Sequence, residues 1–233
     1  MGAAMSAPSW RHWLLALPVC VLGYLVIVSG WAWASFDAAV ADAHLDPEAQ
    51  LSARQLAILT RVEDPTFFTH GGVSLAPGQG LATISSALAR DLYLQGANFA
   101  GIEGSLQRLY RAVFACCKKI DLGRDAMAVV LDARLPKDRQ LALYVSRVYM
   151  GTDNGTQVRG LPQAAHRYLG KPLAATTDAE FIGLVAMIKA PNQFHPVKHR
   201  IDYDSRVARV RALVMDRCRP GGWFDTALAH CPG

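Results

Sequence analysis

The chain has 233 residues, enough for one domain of ordinary size with its own core and a short appendage. Only 18% of the residues are charged and the mean hydropathy is positive; both are unusual for a fully soluble domain and indicate contact with a membrane. The formal net charge of +5 favours an anionic partner and leaves three classes open: nucleic acid, an acidic bilayer or a phosphate-bearing substrate.

The first predicted element is a membrane-spanning helix over residues 13–36. This stretch has no charged residue, and at ~1.5 Å per helical residue it is long enough for a ~30 Å hydrocarbon core. Tryptophans stand at both ends, as in aromatic belts: Trp10, Trp13, Trp31 and Trp33. Arg11 precedes the run and acidic residues follow it, so residues 1–12 are expected to be a short cytoplasmic tail. The alternative is a cleavable signal peptide, because Ala32-Trp33-Ala34 resembles a cleavage site.

The rest of the chain is predicted to be mainly α-helical. Helices are expected over residues 38–61, 81–94, 105–119, 125–135, 137–149, 161–169, 178–189 and 204–217. Loops are expected at 71–80, 95–104, 151–160 and 191–199. No stretch shows the alternation that is typical of a strand.

The predicted helix at 105–119 is amphipathic. Its apolar stripe consists of Leu106, Leu109, Tyr110, Val113, Phe114 and Cys117. Its cations lie off that stripe: Arg108, Arg111, Lys118 and Lys119. Two interpretations stay open, namely a helix whose stripe packs in the core and a helix that lies on an anionic membrane surface.

The chain contains five cysteines, and no His/Cys spacing resembles a zinc site. Cys20 falls in the apolar run, and Cys116 and Cys117 are adjacent. Cys218 and Cys231 flank a short segment rich in Pro and Gly. Because the expected compartment is oxidising, we predict a disulfide between these last two.

One segment combines the residue types that acid–base chemistry needs: Glu63-Asp64-Pro65-Thr66-Phe67-Phe68-Thr69-His70-Gly71-Gly72. A carboxylate desolvated by Phe67 and Phe68 has a raised pKa, which makes it a usable general base. His70 is placed to hold the loop by hydrogen bonds. The alternative is a helix C-terminus with solvated acids and a glycine stop.

This segment resembles the pattern E-D-x-x-F-x-x-H-x-G, the first motif of family 51 glycosyltransferases. These are the glycan-polymerising domains of class A penicillin-binding proteins and the monofunctional peptidoglycan transglycosylases. Four further motifs are similar. Residues 80–94 resemble G-x-S-T-I-T-Q-Q-L-A-K-N-L-Y-L, and residues 131–151 resemble L-E-x-x-x-S-K-D-x followed by L-Y-L-N-x-V-Y-x-G. Residues 159–171 resemble G-x-x-x-A-A-x-x-Y-F-G-K, and residues 178–196 resemble the fifth motif.

The resemblance implies a mainly α, lysozyme-like two-lobed domain at residues 37–217, followed by a C-terminal tail at 218–233. It implies a peptidoglycan glycosyltransferase that polymerises glycan chains from lipid II, a disaccharide-pentapeptide on a polyprenyl pyrophosphate. Glu63 would take the proton from the 4-hydroxyl of the acceptor sugar, and undecaprenyl pyrophosphate would leave. The expected location is the bacterial inner membrane, with a single pass and the catalytic domain on the periplasmic side.

The resemblance also implies a set of substrate-binding residues: Asp64, Phe67, His70, Thr83, Arg90, Lys137 and Arg159. Arg90 and Lys137 stand at motif positions suited to the charge of the leaving pyrophosphate, which cations or a metal must stabilise. The alternative for both is a solvated helix face. No cofactor is required by the sequence, and a divalent metal at the pyrophosphate stays open. The expected partners are lipid II, the nascent glycan chain, the membrane and other cell-wall synthesis proteins, but not nucleic acid.

The sequence departs from the family pattern in two places. Ser86 and Ala87 stand where the second motif has paired glutamines. The family's second Glu, in R-K-x-x-E, lies eight residues before the acidic residue of L-E, and the same count back from Asp132 leads to Arg124. Asp125 points about 100° away on a helix and would substitute only after a rotation or a register slip.

These departures leave two other functions open. One is a catalytically impaired relative that binds lipid II or a cell-wall assembly partner. The other, supported by the fold alone, is a glycan-cleaving muramidase. The discriminating observation is whether Asp125, Asp121 or Glu103 faces Glu63 across a cleft. Arg124→Glu is expected to raise activity if the ancestral geometry persists.

Overall fold

The computed structural model describes residues 10–41, 43–77, 82–96, 98–114 and 121–233, with side chains from residue 16 onward. Its helices are α1 Trp10–Ala34, α2 Phe36–Ala41, α3 Ala53–Glu63, α4 Ile84–Arg90, α5 Gly101–Phe114, α6 Leu122–Arg134, α7 Lys137–Arg147, α8 Leu161–Leu169, α9 Asp178–Ile188 and α10 Arg200–Val214. A π-helical turn, Asp91–Gly96, continues α4, and a 3₁₀ turn, Leu173–Ala175, precedes α9. Strands β1 Tyr149–Asp153 and β2 Thr156–Arg159 form an antiparallel hairpin.

The buried side chains form two hydrophobic clusters, and these define two lobes. The larger lobe packs α3, the hairpin, α8, α9 and α10 around residues such as Phe181. The smaller lobe packs the end of α1 with α2, α4, α5 and α6 around residues such as Tyr93. Helix α7 joins them, since Leu143 belongs to the smaller cluster and Tyr144 to the larger. The predicted mainly α, two-lobed fold class is confirmed.

Helix α1 occupies two environments. Its segment Ala16–Ala34 is long and apolar enough to cross a membrane. Leu17, Leu22 and Ile27 are exposed, whereas Val28 and Trp31 are buried in the smaller lobe. The last part of the segment expected as an anchor, 13–36, therefore belongs to the core of the domain expected at 37–217. The sequence could not show this boundary, because residues that contact lipid and residues that pack in a core are equally apolar.

The segment predicted as one helix at 38–61 is two helices in the structure. Helix α3 begins after Ser52, whose Oγ accepts a hydrogen bond from the Gln55 N–H while the Gln55 side chain accepts from the Ser52 N–H. This capping box starts a new helix, and the S-x-x-Q signature was available in the sequence.

The segment predicted as a loop at 151–160 contributes to the β hairpin. Asn154 and Gly155 both have positive φ at its turn. Asn-Gly favours the tight turns that join two antiparallel strands, so this dipeptide was the overlooked signal. The hairpin matters for the site because Arg159, at the end of β2, lies at the cleft described below.

Helix α5 begins at Gly101 rather than at the predicted Ser105, and its described part ends at Phe114. Its predicted continuation to residue 119, which includes Cys116 and Cys117, lies outside the described residues.

The C-terminal residues 218–233 pack against the larger lobe. The predicted disulfide between Cys218 and Cys231 is present. Leu228 and Cys231 are buried members of the larger hydrophobic cluster. The segment predicted as a tail is therefore folded into the lobe, and it reaches the cleft through Thr226.

Candidate active site

A cleft of about 700 Å³ lies between the two lobes. The larger lobe contributes Glu63 at the end of α3 together with residues of α9 and α10, and the smaller lobe contributes residues of α4 and α6. The polar side chains that line it are Glu63, Ser86, Arg90, Asp91, Gln95, Arg124, Tyr144, Arg147, Tyr149, Gln157, Arg159, Lys189, Arg206 and Thr226.

Glu63 is the last residue of α3, and its carboxyl group is desolvated at the cleft wall. Burial raises the pKa of Glu63 to about 7, although the charges of Arg206 and Lys189 oppose the shift. The Tyr144 hydroxyl donates a hydrogen bond to this carboxylate. Burial also holds the pKa of Tyr144 well above its ordinary value, so the phenol remains protonated. A carboxyl group that titrates near neutrality is matched to general-base catalysis.

Asp64 follows directly but has a different environment. Its Oδ2 accepts hydrogen bonds from His70 Nε2 and from the Ile84 N–H, both at 2.9 Å. His70 Nδ1 accepts from the Gly72 N–H at 3.0 Å, which assigns the proton to Nε2. Ile84 is the first residue of α4, so the Asp64 carboxylate satisfies an otherwise free N–H and complements the helix dipole. Asp64 and His70 thus hold α4 behind the cleft wall, and their contact with substrate stays a prediction.

Thr83 and Gly72 also hold the loop after α3 against the start of α4. Thr83 Oγ1 donates to the Gly72 carbonyl at 2.6 Å and accepts from the Ser86 N–H at 2.9 Å. Ser86 Oγ accepts from the Thr83 N–H at 2.9 Å, which completes a capping box. Gly72 has φ +97°, and a Cβ there would lie 2.5 Å from the Ala128 carbonyl oxygen of α6. Only glycine fits this approach of the loop to α6.

Lys137 and Phe67 are not among the residues that line the cleft. Lys137 Nζ lies 2.5 Å from Asp132 Oδ1 and 4.7 Å from the centroid of the buried Phe67 ring. Asp132 Oδ1 also accepts from the Gln140 amide at 2.9 Å. These contacts join α6 to α7 and to the loop after α3. The expected contact of Lys137 with pyrophosphate stays a prediction.

Cations dominate the described part of the cleft. They are Arg90, Arg124, Arg147, Arg159, Lys189 and Arg206, against the two carboxylates Glu63 and Asp91. Arg90 and Arg159 were predicted as substrate-binding residues, and the structure brings them together here. Arg147 lies inside a matched motif and was overlooked. Lys189 and Arg206 carry no local sequence signal, because they reach the cleft through the packing of α9 and α10.

Asp91 organises one side of the cleft. Its Oδ2 accepts from Arg147 Nε at 2.5 Å, and its Oδ1 accepts from Arg159 Nη1 at 2.8 Å. Asp91 begins the π-helical turn, a feature often found at functional sites. The two ion pairs thereby fix α7 and β2 relative to α4.

Residues 41–218 match the family model for Transglycosylase. This span is well over half of the chain. The chain belongs to the transglycosylase family.

Relatives of this transglycosylase-family chain are penicillin-binding proteins. It is 29% identical over 164 residues to penicillin-binding protein 1B of Buchnera aphidicola subsp. Acyrthosiphon pisum (strain APS). The alignment covers 64% of this chain and 19% of that protein. It is 31% identical over 142 residues to penicillin-binding protein 1B of Escherichia coli (strain K12), covering 59% and 16%. It is 28% identical over 189 residues to penicillin-binding protein 1A of the same strain, covering 75% and 19%. The chain thus spans less than a fifth of the length of these relatives.

None of the three carboxylates considered as a second catalytic group of this transglycosylase-family chain lines the described cleft. Asp125 Oδ1 accepts from Arg124 Nε at 3.1 Å and from Nη2 at 2.9 Å. Asp121 caps α6 through the Arg124 N–H and accepts from the Tyr110 hydroxyl. Glu103 is exposed on α5. In their place, Arg124 itself lines the cleft.

Within the residues that the structure describes, no group of three or more His, Cys, Asp or Glu side chains comes together to hold a metal ion. Whether a divalent metal accompanies the pyrophosphate therefore stays an open expectation.

Proposed function

We propose that this chain is a membrane-anchored peptidoglycan glycosyltransferase that polymerises glycan chains from lipid II. One observation carries the proposal: a desolvated Glu63, with its pKa raised to about 7, faces a cleft lined by cations. Membership of the transglycosylase family supports the class of reaction. The excess of positive charge suits a substrate that carries a pyrophosphate.

In the proposed step, the Glu63 carboxylate accepts the proton of the acceptor 4-hydroxyl. The acceptor oxygen forms a bond to the anomeric carbon of the growing chain, which is the donor. The bond from that carbon to the pyrophosphate oxygen breaks, and its electron pair leaves with undecaprenyl pyrophosphate. Cations of the cleft such as Arg90 and Arg159 stabilise the charge that develops on the leaving group.

The proposed location is the bacterial inner membrane, and the packing of one side chain supports a retained anchor over a cleaved signal peptide. Trp31 precedes the candidate cleavage site, and its ring packs against Tyr93, Phe99 and Tyr110 in the smaller lobe. Cleavage after Ala34 would remove this side chain from the core. The proposed topology is a single pass, with the two lobes on the periplasmic side, where lipid II presents its sugars.

A second candidate function has its own supporting observation. Arg124 stands where the family pattern places the second Glu, and no other carboxylate than Glu63 and Asp91 lines the described cleft. The second candidate is therefore a catalytically impaired relative that binds lipid II, or a cell-wall assembly partner, without polymerising glycan.

The two candidates are separated by polymerisation of labelled lipid II with purified full-length protein. The parent should form glycan chains, and Glu63→Gln should lower the rate by ~10²–10⁴-fold, because Gln keeps the shape and loses the proton-accepting oxygen. The matched control is Glu48→Gln, an exposed carboxylate away from the cleft, and it should retain activity.

Three outcomes decide the assignment. Loss of polymerisation in Glu63→Gln, with folding and lipid II binding intact, supports the enzyme. Equal polymerisation by parent and Glu63→Gln removes the general-base role from Glu63. Lipid II binding without polymerisation by the parent establishes the impaired relative instead.

A further inference from the structure

Arg124 is a buried cation at the wall of the cleft. Its side chain is 8% exposed and lines the cleft. Its backbone N–H donates a hydrogen bond to Oδ1 of Asp121, the residue that caps the start of α6. The guanidinium donates to a single carboxylate oxygen, Asp125 Oδ1, through Nε and Nη2. A guanidinium has five N–H donors in a fixed fork, so these two bonds orient the group and leave donors for a second ligand.

The second departure from the family pattern lies at the same cleft as Arg124. Ser86 and Ala87 on α4 line the same cleft as Arg124, and α4 packs against α6. Both are much smaller than the glutamines of the pattern, and Arg124 is longer than the Glu that it replaces. The two departures therefore lie in one cleft, where small side chains line the α4 wall and a long, positively charged one lines the α6 wall.

The charge of the surroundings favours an anion over a second acid. With Glu63 and Asp91 ionised, and with Asp125 paired to Arg124, the six cations of the described cleft leave a surplus of three positive charges. Arg206 is 4% exposed, and its Nε has no hydrogen-bond partner among the described residues. A buried, unsatisfied guanidinium donor costs free energy that an oxyanion recovers.

We propose that Arg124 is a ligand for the diphosphate of the substrate, held in place by Asp125, at the position where the family pattern has a carboxylate. The inference rests on the proposed function and deepens it, because it assigns the charge-stabilising role to a residue that the family pattern does not supply. Arginine binds phosphate oxygens in a bidentate manner, and such charge-assisted bonds are among the strong ones. The proposal therefore predicts that protein cations suffice to bind a diphosphate without an added metal.

The test is calorimetric titration of the full-length protein in detergent with sodium pyrophosphate, in buffer containing EDTA. The parent should bind. Arg124→Gln should bind about 10- to 100-fold more weakly, from the loss of charged hydrogen bonds, and Arg124→Lys should fall in between. The matched control is Arg139→Gln on α7, an exposed arginine outside the cleft, which should bind like the parent.

Arg124→Gln leaves Asp125 without its partner and can lose stability for that reason. The double variant Arg124→Gln/Asp125→Asn removes both charges of the pair, so neither side chain is left as an unpaired buried charge. Weak pyrophosphate binding by the folded double variant supports the proposal. Parent-like binding by the double variant, or no binding by the parent in EDTA, overturns it.

Arg124→Glu provides an independent arm. It restores the family carboxylate, but it also places two carboxylates side by side at residues 124 and 125, inside a site built around an ion pair. The structure therefore reverses the expectation of raised activity, and we expect both pyrophosphate binding and polymerisation to fall. Polymerisation above the parent's rate would contradict the role assigned to Arg124.

The binding readout keeps this inference separate from the proposed function. If the parent binds pyrophosphate through Arg124 but forms no glycan, the inference stands and the impaired relative is favoured. If the parent polymerises lipid II and the double variant binds pyrophosphate normally, the function stands and the role of Arg124 fails.

Discussion

At the scale of single residues, Glu63 and Asp64 show how neighbouring carboxyl groups acquire different chemistry. Asp64 accepts hydrogen bonds from His70 and from the first N–H of α4, so its carboxylate holds the start of that helix. Glu63 ends α3 at the cleft, where the Tyr144 hydroxyl contacts it and burial favours the neutral form. The end of one helix thus separates a structural acid from a candidate base.

The raised pKa of Glu63 predicts a pH-dependent change in stability. The folded state raises this pKa from 4.5 to about 7, so it binds the proton more tightly than the unfolded chain does. The resulting stabilisation is fully present below about pH 4.5 and is lost as the pH rises through 7. At pH 8, Glu63→Gln should therefore unfold with a free energy about 2 kcal/mol above the parent's, since one pKa unit corresponds to ~1.4 kcal/mol and the side chain is partly exposed.

Thermal or urea unfolding at pH 4 and pH 8 checks this prediction. The variant and the parent should be nearly equal at pH 4, and Glu48→Gln should match the parent at both pH values. The same protonation predicts that kcat/KM for polymerisation rises with pH through about 7, because the base must be ionised. A variant that is no more stable than the parent at pH 8 would contradict the raised pKa of Glu63.

At the scale of elements, the apolar stripe of α5 is divided between two environments. Leu109 and Val113 of the stripe are exposed, as is the nearby Ile102, whereas Tyr110 of the stripe is buried together with Gln107. The helix lies beside α1, since Trp31 Nε1 donates to the Glu103 carbonyl at 3.1 Å and the rings of Tyr24 and Phe114 are 5.4 Å apart. An apolar face next to a candidate membrane span is expected to face lipid.

Leu109→Asp tests that expectation. Because Leu109 is 60% exposed, the substitution should change the unfolding free energy in detergent by no more than about 0.5 kcal/mol. A loss of several kcal/mol would indicate that the stripe packs in a core after all.

Contact with lipid is measured with an environment-sensitive fluorophore on Leu109→Cys in proteoliposomes, in a background where Cys20, Cys116 and Cys117 are serine. Brominated lipids should quench a probe at position 109. The matched control is Ile201→Cys on α10, an equally apolar and more exposed site in the larger lobe, which should not be quenched.

At the scale of the whole molecule, both ends of the chain complete the lobes. Val28 and Trp31 of α1 enter the core of the smaller lobe. At the other end, the Thr226 carbonyl accepts from Arg206 Nη1 at 3.2 Å, and Thr226 itself lines the cleft. The C-terminal residues therefore help to place a cation, Arg206, beside Glu63. The disulfide closes the loop that contains Thr226.

Removal of this disulfide should lower both the stability of the protein and its binding of pyrophosphate. Cys218 and Cys231 are separated by 13 positions, and opening a loop of that length costs about 2–4 kcal/mol of unfolding free energy. The variant Cys218→Ser/Cys231→Ser is compared with Cys20→Ser by urea unfolding, and pyrophosphate binding is measured on the folded fraction. An unchanged midpoint and unchanged binding would show that the loop holds Arg206 without the bond.

Much of this architecture follows from local sequence. The helical class, the boundaries of α8 and α9 and the position of Glu63 at a helix end depend on spacing, caps and turn residues within a few positions. The signals for the Ser52 cap and the Asn154-Gly155 turn were equally local and were overlooked. The apolar run at 13–36 predicted a candidate spanning helix for the same reason, because its length and lack of charge are properties of one continuous segment.

Only the tertiary structure decided which groups share the cleft. Lys189 and Arg206 reach Glu63 through packing of α9 and α10, whereas Lys137 is paired with Asp132 away from the cleft. The pKa of Glu63 depends on its burial and on the charges of Arg206 and Lys189. The role proposed for Arg124 depends on the residues that share its cleft. Such properties arise from segments far apart along the chain, because charge interactions and burial are determined by distance in space.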